Sequence, residues 1–190
     1  MPSPAPHTTA IVRLWPEAAG NGALRTFGLV AAGSAVLALA AHVQVPFWPV
    51  KLSLQSLVVV LIGITYGSRL GAATLLAYVA EGALGLPVFQ GGAGPLYLAG
   101  PTGGYLLGYV LSALVAGRAA ERGALGRPLS AVAAVLAAFA AITLPGLAWL
   151  AVLFGPEKSI AFGLTPFLSG EALKIGLVLA LLPTLRPPAR

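Results

Sequence analysis

The chain has 190 residues, of which 58% are hydrophobic and only 8% charged; its net charge is +6 and its mean hydropathy +0.92. Soluble domains carry about 25% charged residues, so a soluble fold is excluded and an integral membrane protein of one domain remains. The positive charge sits on arginines flanking apolar stretches, with no aromatic–basic cluster, so it speaks for membrane topology and against nucleic acid as a partner.

Residues Met1 to Gly22 hold four prolines and no long apolar run, which reads as a short tail and not as a signal peptide. The first apolar span is expected from about Thr26 to Val45, before Pro46 and Pro49. Small residues line it (Ala31, Ala32, Gly33, Ser34, Ala35, Ala38), and Ala31 with Ala35 has the small-xxx-small spacing that lets a second helix approach closely. The next two spans are expected at Leu52–Tyr66 and Leu70–Leu84, around a tight turn at Gly67-Ser68-Arg69. At about fifteen residues, or roughly 22 Å, each is shorter than the ~30 Å hydrocarbon core. They cross with bilayer thinning or help from their flanks, or else form two joined half-spans. A fourth span is expected at Gly104–Ala120 and a fifth at Leu129–Phe154, kinked or broken at Pro145-Gly146. After a connection from Gly155 to Pro166, the last span runs from Phe167 to Leu182, where Pro183 stops it. The stretches are continuously apolar and do not alternate, so the spanning elements are helices and not barrel strands.

The expected fold is therefore an all-α integral membrane protein, a bundle of six transmembrane helices with outward-facing loops capping a ligand cavity. One domain covers residues 23–184, between tails 1–22 and 185–190. With six spans, Arg13, Arg25, Arg69, Arg118, Arg122, Arg127, Arg186 and Arg190 fall on one side, and Lys51 and Lys158 on the other. The positive-inside rule then places both termini in the cytoplasm of a multi-pass protein of the cytoplasmic membrane.

The connection Leu84–Tyr105 organises the chain. It holds seven glycines and three prolines, yet keeps Phe89, Leu96, Tyr97 and Leu98. A plain linker would be polar; apolar side chains on a glycine-rich connection indicate a loop that folds back onto the helices and caps a ligand.

Charges inside spans cost roughly 2.5–3.5 kcal/mol on insertion scales, which makes Glu81, Glu171 and Lys174 candidate ligand groups. Glu171 and Lys174 are three apart, on one helical face, and suit a polar ligand held between an acceptor and a donor; mutual neutralisation is the plainer alternative. Gln55 and Gln90 lie on the same outer side, as does Gln44, and each suits either helix–helix hydrogen bonding or ligand contact. Trp48, Phe89, Tyr97 and Tyr105 are candidates for the apolar wall, against an interfacial aromatic belt. His7 lies in the tail and His42 stands alone in the first span, so no metal site or cofactor is expected. The chain has neither cysteine nor aspartate, and no phosphate-loop signature. It therefore offers no Cys nucleophile, no Ser-His-Asp set and no nucleotide hydrolysis by that route, and is read as a non-enzyme.

Four stretches together resemble the BioY family: VPFWPVKLSLQSLVVVLIGITYGSRLGA, YVAEGALGLPVFQGG, LAGPTGGYLLGY and PFLSGEALKIGL. The resemblance covers about Leu24 to Leu182 and implies a six-helix S component of an energy-coupling factor (ECF) transporter that captures biotin from outside. It further implies coupling to a transmembrane subunit and ATPase subunits through the first helix, with Ala31 and Ala35 at the contact. The family's last helix usually carries Asp-x-x-Lys where this chain has Glu171-x-x-Lys174, and Gln90 stands where relatives can have Asn. Biotin suits these groups: its ureido N–H donors match a carboxylate, its carbonyl or carboxylate an ammonium, and its thiophane ring and valeryl chain an apolar wall. The alternatives are an S component for a different vitamin or cofactor precursor, and a structural membrane subunit.

Overall fold

In the computed structural model, which describes residues 22–45, 52–92 and 94–185, each of the six apolar stretches is helical. Helix α1 spans Gly22–His42, α2 Gln55–Tyr66, α3 Ser68–Ala83, α5 Gly103–Glu121, α6 Pro128–Phe154 and α8 Leu168–Leu185. Two further helices occupy the expected connections, α4 (Pro95–Ala99) in the glycine-rich loop and α7 (Pro156–Gly163) after α6. Helices α1, α6 and α8 are long and apolar enough to cross a membrane on their own. Among the described residues, the strands are a two-residue pair, β1 (Gln44–Val45) antiparallel to β2 (Leu52–Ser53).

Some boundaries differ from expectation. The first helix ends at His42, and the residues up to Val45 pair with the chain entering α2. Helix α6 reaches Phe154 as expected and continues through Pro145, so of the kink or break expected there the break is excluded. Helix α8 continues through Pro183 to Leu185, whose side chain packs against the core. A proline removes one ladder bond, and apolar packing on either side of it keeps the helix going.

Helix α5 is the centre of the bundle. It packs most extensively along α6 and also lies against α2 and α3. Gly104, Gly108, Ser112 and Ala116 recur every fourth residue on its buried face. This spacing lets neighbouring backbones come close, which is how helices associate where lipid removes the hydrophobic drive. At Gly108 an added Cβ would stand 2.6 Å from the Ile142 carbonyl oxygen, so only glycine permits the α5–α6 approach.

Each end of α5 is tied down. At its C-terminal end the Glu121 carboxylate accepts the Ser68 backbone N–H at 2.6 Å and the Ser68 hydroxyl at 3.0 Å, capping the N-terminus of α3. This brings the α2–α3 turn, with Arg69, to the same end of the bundle as Arg118 and Arg122. Near its other end, the Tyr105 hydroxyl donates to the Gly163 carbonyl at 2.8 Å, fastening α7.

The glycine-rich loop folds back onto the helices, as its apolar content predicts. Phe89 is fully buried, edge-on to Tyr78 (centroids 5.4 Å apart, 76°) and stacked on Tyr97 (5.2 Å, 22°). Its ring lies directly on Gly82 of α3, where any Cβ would collide with it.

Candidate ligand-binding site

A cavity of about 1050 Å³ lies among α2, the glycine-rich loop, α5, α6, α7 and α8. That is the upper end of the ~300–1,000 Å³ typical of small-molecule sites. Its wall is mostly apolar: Leu136, Phe139, Ile142 and Leu147 from α6, and Phe167 and Ile175 from the α8 side, with Tyr97, Tyr105 and Tyr109 completing it. Polar groups are the minority, which is the arrangement that orients a ligand.

The polar pole is built from α2 and α8. The Lys174 ammonium donates to Glu171 Oε1 at 2.7 Å and to Ser56 Oγ at 2.8 Å. The Ser56 hydroxyl in turn faces both Glu171 oxygens, at 3.1 and 3.2 Å. The i, i+3 spacing puts Glu171 and Lys174 on one face of α8, and Ser56 enters from the first turn of α2. Lys174 is 5% exposed, so its charge is held by these two bonds and not by water. An ammonium has three donors, and two are used here; a carboxylate has about four acceptor sites, and these contacts leave some of them open. The pole therefore presents a donor and an acceptor side by side to whatever enters the cavity.

Beside it, buried Gln55 donates to the Tyr78 hydroxyl at 2.8 Å, and Tyr78 donates to the Val88 carbonyl at 2.9 Å. This relay joins the cavity floor to the loop that covers Phe89. Gln90 and Tyr97 line the cavity from that loop. Burial pushes the Tyr97 phenol above its ordinary range, so it stays neutral at physiological pH. The loop is also fastened to α6, where Trp149 Nε1 donates to the Gly100 carbonyl at 2.9 Å. Helix α7 is fastened to α6 as well, through Ser159 Oγ donating to the Leu147 carbonyl at 2.7 Å.

Of the candidate residues, Gln55, Gln90, Tyr97, Tyr105, Glu171 and Lys174 line the cavity. Glu81 and Phe89 do not. Glu81 accepts a hydrogen bond from Ser34 of α1, and Phe89 is the packed floor beneath Tyr97, because a ring enclosed by Gly82, Tyr78 and Tyr97 has no face left for a ligand. Trp48 lies outside the described residues. Gln44 is exposed in β1, opposite Ser53. Ala31 and Ala35 are both exposed on α1, while Gly33, Ser34 and Leu37 turn inward.

Sequence reading missed Ser56, Tyr109, Lys158 and the α6 wall. Ser53, Gln55 and Ser56 form a polar cluster at the start of an otherwise apolar helix, which was a readable signal for Ser56. The α6 wall carried none, since its apolar residues look the same whether they face lipid or ligand. Among the described residues, no group of three or more His, Cys, Asp or Glu side chains could hold a metal ion.

Fold and site together define a multi-pass helical membrane protein with an internal small-molecule cavity. The family model described as "BioY family" matches residues 12–190. The chain is 35% identical over 147 residues to a "Probable biotin transporter BioY" of Pyrococcus horikoshii, covering 77% of this chain and 86% of that protein. It is 34% identical over 155 residues to a "Biotin transporter BioY" of Rhizobium etli, covering 77% and 83%. In fold it is similar to a crystal structure of "the S-component for biotin from an ECF-type ABC transporter", with a TM-score of 0.66 at 21% identity over 90% of this chain and 95% of that one. The chain belongs to the BioY family.

Proposed function

We propose that this protein is the substrate-capture subunit of a biotin uptake system in the cytoplasmic membrane. The observation that carries the reading is the Ser56–Glu171–Lys174 pole in a largely apolar cavity. A ureido group carries two N–H donors and one carbonyl acceptor, and the pole offers a carboxylate acceptor beside an unused ammonium donor. Tyr97, Tyr105 and Tyr109 and the α6 wall suit the thiophane ring and valeryl chain. Gln55 and Gln90 border the same space. Glu171 in place of the family's usual Asp adds one methylene and keeps the charge.

The protein binds its ligand without a cofactor and catalyses no reaction; energy comes from an ECF transmembrane coupling subunit and its ATPase subunits. Exposed Ala31 and Ala35 on α1 support that contact, since small side chains on an outward face admit a partner helix. The six helices cross the bilayer as one domain of residues 23–184, with both termini cytoplasmic. The grouping of Arg69, Arg118 and Arg122 at one end of the bundle supports this orientation.

The test is calorimetry of purified protein in detergent, without ATP, against biotin and, separately, thiamine and riboflavin. Tight binding of biotin alone is expected. Preference for another vitamin, or no binding by a chain with intact helical circular dichroism, overturns the reading. For the partner claim, Ala35→Trp should abolish energised uptake and leave biotin affinity unchanged; equal loss of both would place that face at the ligand site.

A further inference from the structure

The charges around the cavity are unevenly distributed. Among the described residues, two cations and one anion line it: Lys174 and Glu171 at the pole, and Lys158 on α7. The first two neutralise each other at 2.7 Å. Lys158 is exposed, and its ammonium makes no ion pair among the described residues. The described lining therefore carries a net charge of +1, which matches a ligand bearing a single negative charge.

A ligand carboxylate fits poorly at the pole. Lys174 is already committed to Glu171 and Ser56, and a second carboxylate there would face the Glu171 carboxylate, which carries the same charge. Lys158 meets the opposite conditions, being cationic, exposed and unpaired among the described residues. Helix α7 gives it a fixed seat, because Ser159, the next residue, is buried and bonded to Leu147, and Gly163 at the other end is bonded to Tyr105.

We infer that Lys158 receives the carboxylate of the ligand, while the Ser56–Glu171–Lys174 pole receives its uncharged hydrogen-bonding end. This rests on the biotin reading and fixes the direction of the ligand in the cavity. It makes Lys158 a specificity residue that separates the free acid from its neutral esters and amides.

The experiment measures binding of biotin and of biotin methyl ester to the wild-type protein, Lys158→Gln and Lys158→Glu, with thermal melting as the folding control. Because Lys158 is exposed, Lys158→Gln should weaken biotin by about two- to fivefold, the scale of an exposed ion pair. Lys158→Glu should weaken it further, and the ester should bind all three proteins alike. Added salt should weaken biotin binding to the wild type more than to Lys158→Gln. An unchanged acid-to-ester ratio in both variants, or equal loss of both ligands, overturns the assignment. Failure of the wild type to bind either compound would instead overturn the biotin reading itself.

Discussion

Glu81 and Glu171 are carboxylates within apolar helices of this protein, and the structure treats them differently. Glu171 meets a cation on its own helix and a hydroxyl from α2, at the edge of a cavity. Glu81 meets the hydroxyl of Ser34 from α1, away from the cavity. Both satisfy the same requirement, that a polar group removed from water must find a partner. Only Glu171 has a neighbour with unused hydrogen-bonding capacity facing open space. An intramembrane acid thus marks a place where helices or ligands meet, and the nature of its partner separates the two cases. The Glu171 cluster faces the cavity, whereas the Glu81 contact joins α1 to α3.

The strongest way to break this comparison is Lys174→Met. It leaves Glu171 half-buried with only Ser56, and loss of one member of a desolvated charge pair costs about 2–5 kcal/mol. Biotin affinity should fall by roughly thirty- to several-thousand-fold. Equilibrium binding at wild-type strength would show that the pair serves insertion only.

A smaller loss is expected from Ser56→Ala, which removes one acceptor for Lys174 and one donor to Glu171. Hydrogen bonds to charged groups contribute about 1.5–3 kcal/mol, so affinity should drop by roughly ten- to over a hundredfold with the helices intact. An affinity within error of wild type would confine the pole to α8.

The smallest effect belongs to Glu81→Gln, whose amide keeps an acceptor for Ser34. Interhelical bonds in membranes average about 0.6 kcal/mol, so biotin affinity should change by no more than about threefold. A loss comparable to that of Lys174→Met would return Glu81 to the binding site and erase the distinction between the two acids.

Much was legible in the chain itself. Composition dictated a membrane protein, because a chain this poor in charge has too little polar surface to face water. Continuous apolar runs placed all six helical segments, since each backbone N–H in lipid needs an internal partner and a helix supplies it locally. Spacing alone put Glu171 and Lys174 on one face, because i, i+3 adjacency is a property of a single helix. That the glycine-rich loop folds back onto the helices was recognisable from its retained aromatics. Tertiary structure decided what depends on contacts between distant segments. Ser56 joins Glu171 across 115 positions, Phe89 sinks beneath Tyr97 instead of lining the cavity, and Glu81 turns to α1. Lys158 gained its place at the cavity only once α7 was fastened to Leu147 and Tyr105. In an interior where lipid, ligand and neighbouring helix are all apolar, hydropathy cannot tell these surroundings apart; only packing assigns each side chain to one of them.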